Sequence, residues 1–354
     1  MTDSWIVLLE EHRRRFGGDL RRAFILRALA DRTGARTAGW TPALAGPLLR
    51  AGRGGLLPWA RREPPFLASV EALEPELLAL AMKQAHLTVL DVHDDPALQL
   101  EALGVVPEAA RRAELVDRAR RNREAFPLLL APTASFAELA GLPPERTIVS
   151  PNGTDSTHVR PVETWPSIPT VGFASGAAPN RGIETLVEAA RRIRVELPEL
   201  RLLLWLVATG ADSSSYLEHL TADLQGDPWI EVGTAPYERL GEELGRATVL
   251  AVPHPPAAYL DVALPVKLLD AMASGRPVAI TPRTESARVV RAADAGIVAG
   301  GDTTDDLAAA LLALLEDPDR ARRLGANGRR AAEHDYDWAV IGAGVADGVL
   351  AAMP

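Results

Sequence analysis

The second half of the chain alternates strand-length apolar runs with helical patterns, and that alternation admits few folds. Thr170 to Phe173, Leu202 to Val207, Trp229 to Val232, Val249 to Val252 and Gly296 to Val298 read as strands. Ile183 to Glu196, Tyr216 to Leu224, Tyr237 to Leu244, Thr304 to Leu315 and Asp319 to Glu333 read as helices. A helix between two strands carries the chain back across the sheet, so successive strands run parallel and are joined by right-handed crossovers. The fold class is α/β.

The first half shows the same grammar less cleanly. Trp5 to Leu9 is a strand, and the pair Gly17-Gly18 opens a helix bearing Leu20, Phe24, Leu26 and Leu29. Leu77 to Ala85 predicts a helix, Leu87 to Val92 a strand, and Arg111 to Arg123 a charged, solvated helix. Leu128 to Ala131 and Thr147 to Ser150 are strands, with a short helix at Ser135 to Leu139 between them. Pro42 to Pro65 has Gly, Pro and Arg without periodicity and reads as loop or short helices. The aperiodic Ser156 to Pro169 marks a domain boundary, giving domains at 1–160 and 168–335. Tyr336 to Met353 is one more helix, assigned with 336–354 to the first domain.

Two domains suit 354 residues of which 47% are hydrophobic, enough for each to bury its own core. A net charge of −9 argues against nucleic acid or an anionic membrane as the main partner, since both require concentrated positive charge. The absence of cysteine excludes disulfides, thiolate catalysis and Cys-ligated zinc. The apolar run Trp5 to Leu9 is too short for a signal-peptide core or a membrane span, so the expected location is the cytoplasm.

The richest stretch runs from Val252 to Ile280. An apolar strand empties into a Pro-rich loop, a short helix follows with Lys267 and Asp270 on it, and Gly275-Arg276-Pro277 leads into another strand. In a parallel sheet that loop lies at the carboxyl ends of the strands, where the N-terminus of the next helix offers backbone N–H groups to an anion. A plain reading also exists: Lys267 and Asp270 as an i, i+3 surface pair contributes only about half a kilocalorie per mole. In the first half, Asp91-Val92-His93-Asp94-Asp95-Pro96 closes a strand. Helix capping by Asp94 or Asp95 accounts for the aspartates but leaves His93 available for chemistry. Consecutive residues point apart, so the cluster cannot converge on one metal ion. Gly17 and Gly18 form a turn that also permits close approach of a ligand to backbone.

Several familiar tools are missing. Gly342 and Gly344 begin a dinucleotide fingerprint whose third position is Asp347, with no strand before it. There is no phosphate-binding lysine loop, no nucleophile elbow and no His-Glu-x-x-His helix.

The order of these features resembles the GT-B glycosyltransferases, two Rossmann-like parallel-sheet domains facing a central cleft, and within them the retaining family 4, or group 1, enzymes. The passages that carry the resemblance are Gly17-Gly18, Ile148 to Asp155, Val171 to Gly176, Arg181 to Leu186, Ile230 to Gly233, Val252 to Ile280, Leu314 to Pro318 and Tyr336-Asp337-Trp338. They span most of the chain. The resemblance implies a retaining transfer of a hexose-like sugar from a nucleoside diphosphate donor to a hydroxyl of a small-molecule or glycan acceptor, without a metal or other cofactor.

It also implies roles for individual residues. Asp270 hydrogen-bonds the donor's ribose hydroxyls. Backbone amides of Val262, Ala263 and Leu264, with the following helix N-terminus, hold the diphosphate. Arg181 and Lys267 neutralise the leaving diphosphate, with Gly17, Gly18 and Gly176 on the donor side as well. His93 faces the transferred sugar. Catalytic roles thus fall to His93, Arg181 and Lys267.

The departures point the other way. Val262 stands where the family carries its first glutamate, next to Asp261, and Gly176 stands where it carries an arginine of the diphosphate clamp. The glycine pair after the strand at Pro277 to Ile280 is replaced by Thr284-Glu285. A non-catalytic GT-B protein that binds a sugar nucleotide or a partner transferase is the alternative. A sugar-nucleotide epimerase would need several carboxylates around the sugar, which Val262 opposes. A soluble acceptor such as a cyclitol or an aglycone fits a chain without an extended basic amphipathic helix.

Overall fold

The computed structural model describes residues 5–9, 17–33, 36–40, 66–69, 88–102, 108–208 and 210–352. The segment Pro42 to Pro65 and the helix expected at Leu77 to Ala85 lie outside these residues. The chain divides into two compact units, one made of residues 1–101, 106–152 and 338–354, the other of 102–105 and 153–337.

The first unit is built on β1 (Trp5–Leu9), β2 (Arg36–Trp40), β3 (Phe66–Ser69), β4 (Thr88–Asp91), β5 (Leu128–Ala131) and β6 (Thr147–Val149). They form one sheet in the order β2-β1-β3-β4-β5-β6, and every pairing is parallel. β2 and β3 fall outside the strands expected from the sequence, and in β2 the run Arg36-Thr37-Ala38-Gly39-Trp40 has neither an apolar stretch nor strict alternation. The helix Gly17–Thr33 starts on the glycine pair and buries Ile25, Leu26 and Leu29. The C-terminal helix Trp338–Ala351 packs on it, with the Trp338 ring stacked on Phe24 at 5.8 Å between centroids.

The second unit contains β7 (Thr170–Gly176), β8 (Arg201–Val207), β9 (Ile230–Gly233), β10 (Val249–Val252), β11 (Val278–Ile280) and β12 (Gly296–Val298). Their order is β12-β11-β10-β7-β8-β9, again wholly parallel. Both faces are covered, which is why the strands read as continuous apolar runs rather than alternations. Val171, Phe173, Leu202, Leu204, Val249 and Ala251 pack with the helices Ile183–Glu196 and Thr304–Leu315. Leu203, Trp205, Leu250, Val252, Val278 and Ile280 form the opposite layer with the helices Val266–Ala273 and Thr284–Ala293. The helix Thr284–Ala293 begins on the residues that replace the family's glycine pair.

The first unit ends at Asn152, ahead of the aperiodic Ser156 to Pro169 segment, because that segment is held by the second unit. Val159 lies in the second unit's core, and Arg276 donates to the Thr164 carbonyl at 2.8 Å while stacking 4.1 Å from the Trp165 ring. Among the described residues no helix is long and apolar enough to cross a membrane.

Candidate functional site

In the second sheet the chain leaves β7 toward β8 on one side and returns to β10 on the other. The neighbours β7 and β10 therefore form the topological switch point, and loops at their carboxyl ends splay apart to leave a crevice. The residues singled out in the sequence of this unit lie at the end of β7 and in the loops and short helices that follow β7 and β10.

β7 ends in Phe173-Ala174-Ser175-Gly176. The ammonium of Lys267, the second residue of the helix Val266–Ala273, donates to Ser175 Oγ at 2.7 Å and stands 5.3 Å from the centre of the Phe173 ring. Burial pushes the Lys267 amine well below the usual lysine range, and the positive charge of Arg181 adds to that shift. A lysine held in this way gains its proton most readily when an anion arrives beside it.

Arg181 closes the short turn Pro179–Arg181 in front of the helix Ile183–Glu196. The next residue, Gly182, has φ of +76°, and a Cβ there would lie 1.8 Å from the Pro253 carbonyl oxygen. Only glycine satisfies both conditions. The contact locks the Arg181 turn against the loop that follows β10, which explains why Arg-Gly occurs there.

Asp270 lies about one turn further along the same helix. Thr154, itself fully buried and held by its N–H on the Tyr336 carbonyl at 2.8 Å, donates its hydroxyl to Asp270 Oδ1 at 2.6 Å. Burial pushes the Asp270 carboxyl up to about 7, and Asp155 adds to this while the Thr154 bond and His158 oppose it.

Val262 ends the helix Ala258–Val262, and Ala263 leads in extended conformation to Pro265, which caps the helix Val266–Ala273. The Leu264 side chain is buried in the core, so backbone is what this residue can offer a ligand. Asp261, the carboxylate next to Val262, accepts from Arg283 Nη1 at 2.9 Å, and Arg283 also pairs with Asp302. Asp261 is thus engaged by a buried guanidinium that a second carboxylate shares. Gly176 is exposed, with a virtual Cβ meeting only the Val207 carbonyl at 3.9 Å.

The first unit holds the remaining predicted residues. His93 follows β4, its ring between two carboxylates, with Nδ1 3.6 Å from Asp91 and Nε2 3.5 Å from Asp94. Asp91 is fixed by the buried Arg21, whose Nε and Nη2 donate to it at 3.0 to 3.1 Å while Nη1 donates to the Pro151 carbonyl at 2.9 Å. Asp95 caps the helix Pro96–Ala102 by accepting from the N–H groups of Ala97 and Leu98 at 3.0 and 3.1 Å. The acidic run is therefore divided among three jobs. Gly17 and Gly18 are the first residues of the helix Gly17–Thr33.

Three residues of this site carried no signal of their own in the sequence. Ser175 and Thr154 are short hydroxyls that acquire meaning only from Lys267 and Asp270 across the fold. The third, His254, sits two residues past β10 and is 2% exposed.

Residues 168–317 match the family described as Glycosyl transferases group 1. The MMP alpha-(1->4)-mannosyltransferase of Mycolicibacterium hassiacum is 30% identical over 253 residues, covering 67% of this chain and 57% of that protein. The D-inositol 3-phosphate glycosyltransferase of Nocardia farcinica is 28% identical over 290 residues, 77% of this chain and 59% of its own length. The chain thus spans less than two thirds of the length of these curated relatives. Among solved structures, sucrose-phosphate synthase from Thermosynechococcus elongatus superposes with a TM-score of 0.80 at 18% identity over 98% of both chains. Anabaena HepE in complex with UDP-glucose gives 0.73 at 16% identity over 98% of this chain and 99% of that one. The chain has the GT-B fold and resembles the group 1 glycosyltransferases, as the sequence motifs led one to expect.

Proposed function

We propose that this GT-B chain is a retaining glycosyltransferase that moves a hexose-like sugar from a nucleoside diphosphate donor to a hydroxyl of a small-molecule or glycan acceptor. The observation that carries the reading is Lys267 on Ser175 at the carboxyl end of β7, with Arg181 close enough for its charge to depress the Lys267 amine. Two cations partly withdrawn from water at a switch point need an anion, and a diphosphate matches their number and charge.

In this reading Lys267 and Arg181 stabilise the negative charge that grows on the departing diphosphate as the sugar acquires oxocarbenium character. A donor phosphate oxygen serves as base toward the acceptor hydroxyl. Asp270 accepts hydrogen bonds from the ribose, with Thr154 fixing its carboxylate. Backbone N–H groups from Val262 to Leu264 and the first turn of the helix Val266–Ala273 complete the phosphate cradle. Gly17, Gly18 and Gly176 stay in the donor-side assignment as points of close backbone approach. His93 takes the sugar-orienting role, no metal is invoked, and the cytoplasm is the expected location.

Relatives and structural neighbours support a nucleotide sugar without fixing its base. Names among the similar proteins include GDP-mannose-dependent mannosyltransferases, and the Anabaena structure holds UDP-glucose. The test is thermal stabilisation and slow donor hydrolysis with UDP-, GDP- and dTDP-sugars. Stabilisation by one nucleotide together with hydrolysis is the expected result, and stabilisation by none overturns the assignment.

A second reading has its own observations. Gly176 brings no cation, and Asp261 is paired with Arg283. A non-catalytic sugar-nucleotide-binding protein would show stabilisation without hydrolysis, even with acceptor extracts.

A further inference from the structure

The side chain that the proposed function leaves unused is His254. Both of its ring nitrogens are buried, and neither has a hydrogen-bond partner among the described residues. A neutral imidazole has one donor and one acceptor nitrogen, and a buried polar atom left unmet bears its full desolvation cost. The fold has no evident need to bear that cost, because the backbone at this position is secured by other groups. Thr281 donates its hydroxyl to the His254 carbonyl at 2.6 Å, and Pro253 is pressed against Gly182 on the other side.

The charged groups around the ring come from each element packed on this loop. Lys267 belongs to the helix Val266–Ala273, Arg181 to the turn before Ile183, and Arg283 to the turn before Thr284. The Arg283 charge is met by Asp261 and Asp302. Burial holds the imidazole in its neutral form well below the usual histidine value, and Lys267, Arg181 and Arg283 reinforce this. A buried, unpartnered imidazole beside the two cations assigned to the diphosphate has one complementary ligand in the proposed reaction.

We infer that the imidazole of His254 is a direct ligand of the donor's diphosphate: a ring N–H donates to a phosphate oxygen, and the ring takes up a proton as the anion binds. It supplies part of the positive charge that Gly176 does not. This inference rests on the donor-site reading above and adds to it a residue and a proton.

The experiment uses the full chain with isotope-labelled histidine, titrated with UDP and with GDP, and compared with His254→Gln. The imidazole signals of His254 are assigned by their loss in the variant. The expected result is that one nucleotide shifts these signals toward the imidazolium form, and that His254→Gln binds it about tenfold or more weakly. Nucleotide binding with unshifted His254 signals and undiminished affinity in His254→Gln overturns the inference while leaving the donor site standing. If neither nucleotide binds the wild-type chain, the donor-site reading falls and takes the inference with it. Should His254→Gln fold poorly, His254→Asn serves both for the assignment and for the affinity comparison, with the same outcomes deciding.

Discussion

Thr154 reaches across 116 positions of sequence to donate its hydroxyl hydrogen to Asp270 at 2.6 Å. This single bond does little to offset the burial that raises the Asp270 carboxyl to about 7. The folded chain keeps the Asp270 proton up to that value, whereas the unfolded chain releases it near 3.8. Between those pH values the folded state binds more protons, so the contribution of Asp270 to stability falls as pH rises and levels off above about 7. Asp270→Asn should abolish this slope and raise the melting temperature at pH 8 by ~2–4 °C, the shift that about 1 kcal/mol produces in a domain of this size. The same change should weaken nucleotide binding ~10–100-fold, because hydrogen bonds to a charged acceptor contribute about 1.5–3 kcal/mol. Parallel melting and binding curves check both; a variant that gains stability and keeps its affinity would remove the ribose role.

Gly176 offers a gain-of-function test. Its virtual Cβ meets nothing nearer than the Val207 carbonyl at 3.9 Å, an ordinary contact, and the residue is exposed at the end of β7. Gly176→Arg should therefore fold normally and place a guanidinium on the strand end that already carries Ser175. Removing one electrostatic stabiliser from a developing charge lowers rates by roughly a hundredfold. Adding one should raise donor hydrolysis or transfer by ~10-fold or more, measured as released nucleoside diphosphate at saturating donor. An unchanged rate with unchanged nucleotide affinity would show that this position does not face the diphosphate.

How much of this was legible beforehand differs between the two sheets for a physical reason. β7, β8, β10 and β11 are interior strands covered on both faces, and their apolar runs stand out between amphipathic helices. β2 is an edge strand, and an edge needs no continuous apolar run, so Arg36–Trp40 left no pattern to read. In the site, Lys267 and Asp270 could be found because they share one short helix with a recognisable setting. Their partners could not: Ser175 and Thr154 lie 92 and 116 positions away, and a lone serine or threonine has no periodicity. Asp261 illustrates the opposite case. It was visible as a carboxylate beside Val262, but only the fold reveals that Arg283 already occupies it.

Gly182 joins the Arg181 turn to the loop after β10. Its φ of +76° strains any other L-residue, and the Pro253 carbonyl oxygen lies 1.8 Å from where a Cβ would be. Gly182→Ala adds the left-handed penalty to a backbone clash that no side-chain movement can relieve. The expected loss is about 3–5 kcal/mol, at the upper end for single substitutions, read from urea unfolding. Nucleotide affinity should fall alongside, since relief of the clash displaces the Arg181 turn from His254. A loss below about 1 kcal/mol would show that the two loops separate at little cost.

Arg21 and Asp91 test the first unit. Both side chains are fully buried, and the guanidinium uses Nε and Nη2 on Asp91 and Nη1 on backbone carbonyls that follow β6. Removing one member leaves the other charge buried and uncompensated, so Arg21→Met should destabilise by about 3–5 kcal/mol. A pair of apolar residues of similar volume can be nearly neutral, so the double variant Arg21→Met, Asp91→Leu should recover most of that loss. Asp91 also lies 3.6 Å from His93 Nδ1, so the two variants separate folding from chemistry. The double variant should unfold near the wild-type denaturant midpoint yet turn over the donor more slowly, because His93 has lost the carboxylate that orients its ring. Chemical denaturation of the single and double variants gives the coupling energy, and donor turnover by the double variant gives the rest. Full activity in a stably folded double variant would confine Asp91 to the fold and leave the orientation of His93 to Asp94.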